Sequence, residues 1–369
     1  MMRCQACVEF GGSLETIELP LPVPKGREVL VRVTHAGMCH SDCHLHDGYF
    51  NLGGGNKMKL TALKPPFTLG HEIEGEVHAK GADVPGDILV GGAYAVYPWL
   101  GCNLPECPYC SVGSTNLCVS PKSTKFADGN SMYGGYGSHV LVPDFRWLLD
   151  FRGALQPGLA GIYMCSGLTA FSALKKVQPP PLAASELLIV GLGGLGLQAV
   201  HFAHAMFGGW PMVADMDAGA CKVAADLGCL VVDSGDAKAC TKAIRAATPG
   251  RQGVAGALDF VGAQPTVNLC YGALRGGGTL VTVGLFGALL PTAPLTMHIL
   301  RQKNIQGTIT GTLDECKEML ELLKTHTLEP PPHEFRSIKD ANSALMDLKA
   351  GKITGRCILR HDWDGVAKI

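Results

Sequence analysis

The sequence predicts an α/β protein in which a doubly wound parallel sheet adjoins a second, β-rich region. Three observations carry that expectation. From about Leu159 onward, short apolar runs alternate with helical stretches. A glycine-rich turn sits directly between one such run and a helix. The first 150 or so residues instead show strand-type alternation broken by Gly and Pro clusters. With 369 residues the chain is long enough for two domains, each with its own core.

In the first region, Glu28 to Val33 alternates charged and β-branched residues, as a half-buried strand does. Glu72 to His78 repeats that pattern, and Asp87 to Val96 is read as a third strand. Pro20 to Pro24 and Gly53-Gly54-Gly55 punctuate these runs, and Gly48 to Phe67 reads as an excursion rather than core. In the second region, Leu159 to Val177 is expected to be a helix, stopped by Pro179-Pro180-Pro181. Leu187 to Val190 is a buried strand, followed by the glycine turn and a helix from about Leu195 to Phe207. Met212 to Ala214, Leu230 to Val232, Ala257 to Phe260 and Thr279 to Val283 read as further strands, with a helix at Gly219 to Leu227. Helices near Glu315 to Lys324 and Ile338 to Ala350 precede a closing strand near Cys357.

Composition excludes several function classes. A formal net charge of −1 gives no broad electrostatic case for nucleic acid or an anionic membrane. The most apolar stretch, Leu187 to Val200, is too short and glycine-rich for a membrane span. No apolar leader follows Met1-Met2-Arg3. The fifteen cysteines then read as thiols and metal ligands in a cytoplasmic protein. Cys4, Cys7, Cys221, Cys229, Cys240, Cys270, Cys316 and Cys357 read as small buried hydrophobes. Apolar residues at 47% against 17% charged favour burial of some surface between copies of the chain.

The glycine turn, Gly191-Leu192-Gly193-Gly194-Leu195-Gly196, follows a strand and opens a helix. Gly191 makes the tight turn, Gly193 lets the backbone approach a pyrophosphate, and Gly196 lets helix and sheet pack closely. The free N–H groups of the helix start face the phosphates. Asp215 lies nineteen residues past Gly196, at the end of the next strand, where a carboxylate accepts from ribose hydroxyls. It would repel a 2′-phosphate, so NAD is expected rather than NADP.

Cys39-His40-Ser41-Asp42 and Gly70-His71-Glu72 supply a thiolate, an imidazole and a carboxylate, all competent zinc ligands. These two motifs, the glycine turn and Met164-Cys165-Ser166-Gly167 occur in an order and spacing that resembles the zinc-dependent medium-chain alcohol dehydrogenases. Gly355-Arg356-Cys357 is similar to that family's closing strand, so the resemblance runs end to end. It implies a GroES-like catalytic domain over residues 1–158, a Rossmann NAD-binding domain over 159–299, and a return to the catalytic domain over 300–369. It also implies a homo-oligomer, dimer or tetramer.

By the same resemblance, Cys39, His71 and Cys165 hold a catalytic zinc with an open position for a small alcohol or carbonyl substrate. A zinc-bound alkoxide would then expel hydride to the nicotinamide. Glu72 resembles a glutamate that ligates transiently, and Asp42 the carboxylate that orients the histidine. Ser41 and His44 match a proton relay, while His40 and Arg356 match basic positions facing pyrophosphate. Cys102, Cys107, Cys110 and Cys118, in a lobe over about 99–118, form C-x4-C-x2-C-x7-C, which signals a structural zinc. The family usually spaces the first pair two residues closer, so a three-cysteine site with an outside ligand and an empty loop of thiols are the alternatives. Trp99, Tyr49 and Phe50 are expected at the substrate pocket, with Leu52 to Leu63 shaping access. A polyol or threonine dehydrogenase of the same superfamily, or a non-catalytic NAD-binding structural protein, are the other readings.

Overall fold

A computed structural model describes residues 1–119, 134–232 and 237–363. Its parallel sheet runs in spatial order Leu230–Val231, Met212–Ala214, Leu187–Val190, Val254–Asp259, Leu274–Thr282 and Asn304–Gly307. The chain starts in the middle, winds outward to one side, then crosses to the other. That order leaves a crevice at the carboxyl ends of Leu187–Val190 and Val254–Asp259, where ligands bind in such sheets. Both central strands are buried throughout, which is why they read as unbroken apolar runs.

The glycine turn leaves the first of these strands. Gly191 has φ 91°, a left-handed conformation costly for any side chain. A Cβ added to Gly196 would lie 1.8 Å from the Gly191 carbonyl oxygen, so helix Gly194–Phe207 can sit this close only with glycine there.

In the β-rich region, strand Val29–Gly37 is the hub. It pairs antiparallel with Glu72–Lys80, His139–Val142 and Arg356–Arg360. Arg356–Arg360 in turn pairs parallel with His333–Ser337, so the end of the chain is stitched into a sheet begun near its start. The parallel sheet extends past residue 299, because Asn304–Gly307 still pairs with Leu274–Thr282. The return to the β-rich sheet comes only at His333–Ser337.

Three elements differ from expectation. Of Asp87 to Val96 only Ala93–Val96 is strand; Gly91, at φ 82°, breaks the run and its N–H bonds back to Val77 at 2.8 Å. The excursion after Gly48 is a hairpin, Tyr49–Gly53 with Asn56–Lys59. The helix expected over Leu159 to Val177 is interrupted by a π-helical turn, Tyr163–Gly167. Ser166 and Thr169 hydroxyls bond the carbonyls four residues back, Ile162 and Cys165, at 2.7 and 2.6 Å. Such bonds compete with the regular ladder, and π turns of this kind gather at functional sites.

Candidate metal and cofactor cleft

Cys39 caps helix His40–Asp47, and the Asp42 carboxylate, fully buried, accepts from the Cys39 N–H at 2.9 Å. The same carboxylate accepts from the Gly70 N–H at 3.1 Å and lies 3.5 Å from His71 Nδ1. One side chain thus ties the two expected motifs together and turns His71 Nε2 inward, where it faces Cys165 Sγ at 3.3 Å. The π turn is what aims Cys165 at this point. Ligand atoms of Cys39, His71, Glu72 and Cys165 all lie within 4.8 Å of one another, and all four residues are buried.

Electrostatics follow from that crowding. A hydrogen bond with Cys165 holds the Cys39 thiol well below its ordinary value, and the same bond pushes Cys165 well above. Burial opposes a charge on His71, but Asp42 and Cys39 outweigh it and hold its pKa well above the usual histidine value. Burial pushes Glu72 up to about 8 against the pull of the Arg356 guanidinium, which bonds its Oε2. The other Glu72 oxygen, Oε1, is buried without a partner. Two sulfurs, an imidazole and an orphaned carboxylate oxygen converging on one point are a donor set that fits zinc.

The second sulfur cluster is closed. Ligand atoms of Cys102, Cys107, Cys110 and Cys118 lie within 4.8 Å of one another. Cys102 and Cys110 sulfurs are 3.7 Å apart, and Cys107 and Cys118 sulfurs 3.9 Å. A tetrahedral zinc with Zn–S bonds of about 2.3 Å spaces its sulfurs at about 3.8 Å. Cys102 is therefore with its three partners despite the longer spacing. Asn103 takes up the extra length: its backbone turns left-handed (φ 57°), and its carboxamide donates to the Leu100 and Gly101 carbonyls at 3.1 and 3.2 Å.

A cavity of about 1100 Å³ joins the mixed cluster to the glycine turn, lined by Cys39, His71 and Cys165 at one end and Gly191 to Gly196 and Asp215 at the other. A Cβ on Gly193 would meet nothing within 4 Å, so this N-cap opens onto free space, as approach of a pyrophosphate requires. Asp215 accepts from the Asp217 N–H at 2.9 Å and from the Leu192 N–H, which fixes its carboxylate beside the turn. Ser41 and His44 sit three residues apart on one helix and both line the cavity, though no bond joins them directly. His44 lies against Phe50, ring centroids 4.9 Å apart, and burial pulls its pKa below the usual histidine value. Trp99 forms the wall beside the mixed cluster, its ring 5.7 Å from that of His71. Tyr49 lines the mouth, with Lys57 Nζ 3.7 Å above its ring. His40 is exposed at the cavity rim.

Arg356 departs from expectation. Its stem packs on Gly194, where an added Cβ would lie 2.3 Å from its Cδ, so it does reach the glycine turn. Its guanidinium, however, is buried and turned inward to Glu72 rather than displayed to solvent. Sequence reasoning also passed over Leu285, Phe286, Ile309 and Thr310, which complete the cavity from the cofactor side. The glycines flanking Leu285 and Phe286 were the one available signal.

Known proteins match this chain along nearly its whole length. The pattern described as alcohol dehydrogenase GroES-like domain matches residues 25–151, and that described as zinc-binding dehydrogenase matches 194–325. A protein named NAD-dependent alcohol dehydrogenase from Sulfolobus acidocaldarius is 34% identical over 364 residues, covering 97% of this chain and 99% of that one. An alcohol dehydrogenase from Geobacillus stearothermophilus is 31% identical over 97% of this chain and 99% of its own. Among solved structures, acetophenone reductase from Geotrichum candidum in complex with NAD superposes with a TM-score of 0.81 at 27% identity, covering 98% of both chains. The alcohol dehydrogenase of Aeropyrum pernix gives 0.82 at 26%, over 97% of this chain and 100% of that one. With its two sulfur clusters, its glycine turn and relatives of this identity, the chain belongs to the zinc-dependent medium-chain alcohol dehydrogenase family.

Proposed function

We propose that this protein oxidises alcohols carrying apolar substituents with NAD, and reduces the matching aldehydes or ketones in reverse. The observation that carries this reading is the single cavity joining Cys39, His71 and Cys165 to the glycine turn and Asp215. Cys39, His71 and Cys165 would hold the catalytic zinc, which when bound supplies Lewis-acid polarisation of the substrate oxygen. Asp42 orients His71 and leaves Nε2 as its ligand atom. Ser41 is placed to accept a hydrogen bond from the substrate hydroxyl, and His44, whose pKa burial lowers, is placed to hold a proton at a ring nitrogen near the cavity mouth. Gly193 and the start of helix Gly194–Phe207 bind pyrophosphate, and Asp215 binds the ribose hydroxyls. Arg356 donates to Glu72 and packs beneath the turn. Phe50, Trp99, Leu285, Phe286 and Ile309 give the cavity an apolar lining, which favours alkyl or aryl alcohols over polyols.

The four-cysteine lobe would hold the structural zinc. The natural division is a catalytic domain from residues 1–158 and the C-terminal strands, around a cofactor domain extending through Gly307. Helix Leu295–Arg301 supports a homo-oligomer: Leu295, Ile299 and Leu300 are 70%, 62% and 71% exposed beside the edge strand Asn304–Gly307. The fifteen cysteines stand as thiols rather than disulfides, which suits a reducing cytosol, and among the described residues no helix is long and apolar enough to cross a membrane.

The test is NADH formation from a panel of alkyl, aryl and polyhydroxy alcohols, alongside zinc content per chain. Turnover of aryl or alkyl alcohols that chelator abolishes and zinc restores is expected, with two zinc ions per chain. Preference for polyols, or turnover indifferent to chelator, would overturn the assignment.

A further inference from the structure

Thr310 stands in an uncommon conformation for its residue type. Its φ is 50°, in the left-handed region where a β-branched side chain is an outlier. It is 5% exposed, lines the cavity, and its hydroxyl is buried without a partner. Nothing in the neighbouring sequence prefers this geometry, so surrounding contacts must impose it.

Those contacts flank it on both sides. The Ile309 carbonyl accepts from Asn116 Nδ2 at 2.9 Å, and the Gly311 carbonyl accepts from the Tyr97 hydroxyl at 2.9 Å. Gly311 is also pressed against helix Leu168–Lys175, since an added Cβ would lie 2.7 Å from Leu168 Cδ1. Asn116 stands two residues before the lobe ligand Cys118, and the Tyr97 hydroxyl is 3.3 Å from Thr115 Oγ1. Tyr97 is fully buried, its ring stacked on Trp147 at 5.6 Å. Two donors anchored in or beside the cysteine lobe therefore grip the carbonyls on either side of the strained residue, those of Ile309 and Gly311.

We propose that the cysteine lobe positions the cofactor side of the cleft through this clamp. Tyr97 and Asn116 hold residues 309–311 in their strained form, and that form sets the width of the cavity NAD occupies. Tyr97, Asn116 and Thr310 are positioning residues; the proposal assigns none of them a part in hydride transfer. It rests on the reading that this cavity binds NAD. It adds that the lobe is wired to the cleft rather than serving stability alone.

The measurement is the NADH dissociation constant by fluorescence titration, with zinc content and melting temperature on the same samples. Asn116→Asp keeps the volume but removes the donor, and Tyr97→Phe removes only a hydroxyl. Each is expected to weaken NADH binding about threefold to tenfold, with zinc content unchanged. Thr310→Gly, which accepts a left-handed backbone freely, should recover much of that loss when combined with either variant. A role in packing alone would leave Asn116→Asp at wild-type affinity. Wild-type affinity in both donor variants, or no recovery with Thr310→Gly, overturns the clamp. Failure of the wild type to bind NADH would instead sink the functional reading on which the clamp depends.

Discussion

The cluster of Cys39, His71 and Cys165 and the cluster of Cys102, Cys107, Cys110 and Cys118 use the same thiol chemistry in opposite surroundings. The first draws on distant segments, His71 and Cys165 being 94 positions apart, and is buried beneath a cavity. The second is made by one short loop, half-buried, with four sulfurs facing one another. Three protein donors beside a cavity leave room for a reacting molecule, whereas four close the sphere. The number of donors and what lies on the open side, rather than the presence of cysteine, separate a site for chemistry from a site for shape.

Substituting one ligand in each cluster tests that contrast most severely. Cys39→Ser should lower kcat by well over about 100-fold, more than loss of a ligand's orienting partner costs, while NADH still binds. Cys102→Ser should instead remove one zinc per chain and lower the melting temperature, with kcat falling less than about tenfold. Zinc analysis and steady-state kinetics on both variants decide it, and equal losses of kcat would erase the distinction. Next in size is Asp42→Asn. An amide at this position cannot carry the charge that holds His71 in place, so zinc affinity at the mixed cluster should drop by about 10-fold to 100-fold. Competition with a chromogenic chelator should show one zinc released early and the lobe's zinc released as in wild type.

The proposed proton relay of Ser41 and His44 lies in the cavity beside the mixed cluster, and that gives a third difference. The His44 pKa lies below the usual histidine value because of burial, so its neutral, proton-accepting form persists into mildly acid solution. Alcohol oxidation should therefore hold its rate as pH falls to the ordinary histidine range and decline only below it. His44→Gln should lower the rate by up to about 100-fold and remove that acid limb. An unchanged pH profile in the variant would show that protons leave by another path. The lobe's zinc content should not respond to this change at all.

Much of this contrast was legible in the chain because it is local. A cysteine capping a helix, a histidine after glycine, a glycine turn after an apolar strand and four cysteines in one loop are each written within a few consecutive residues. What escaped was either distant in sequence or conformational. Glu72 and Arg356 are 284 positions apart, so their pairing exists only once the first and last parts of the sheet have met. Thr310 carries no signal of its left-handed backbone, because neighbours elsewhere impose it. Asp87 to Val96 misled because the apolar residues on both sides of the Gly91-Gly92 pair read as one strand, whereas the glycines turn the chain between them. The hairpin after Tyr49 escaped because its strand Asn56–Lys59 is exposed throughout, leaving no apolar face to read.

The smallest expected effect concerns how the lobe absorbs its two extra residues, and it separates backbone from side chain. Asn103 contributes a left-handed backbone and a carboxamide that donates to two carbonyls. Asn103→Gly keeps the first and gives up the second, in a half-exposed setting where water substitutes for the lost bonds. A modest loss of about 1 kcal/mol follows, near fivefold in the rate of zinc release from the lobe. Asn103→Val forfeits both, and a β-branched residue in this conformation costs about 1–2 kcal/mol more. Release should then quicken by a further factor of roughly ten, with the mixed cluster untouched. If the valine variant kept its lobe zinc as the wild type does, the left-handed turn would not be what closes the longer loop, and Cys102 would reach its partners by some other bend of residues 103–106.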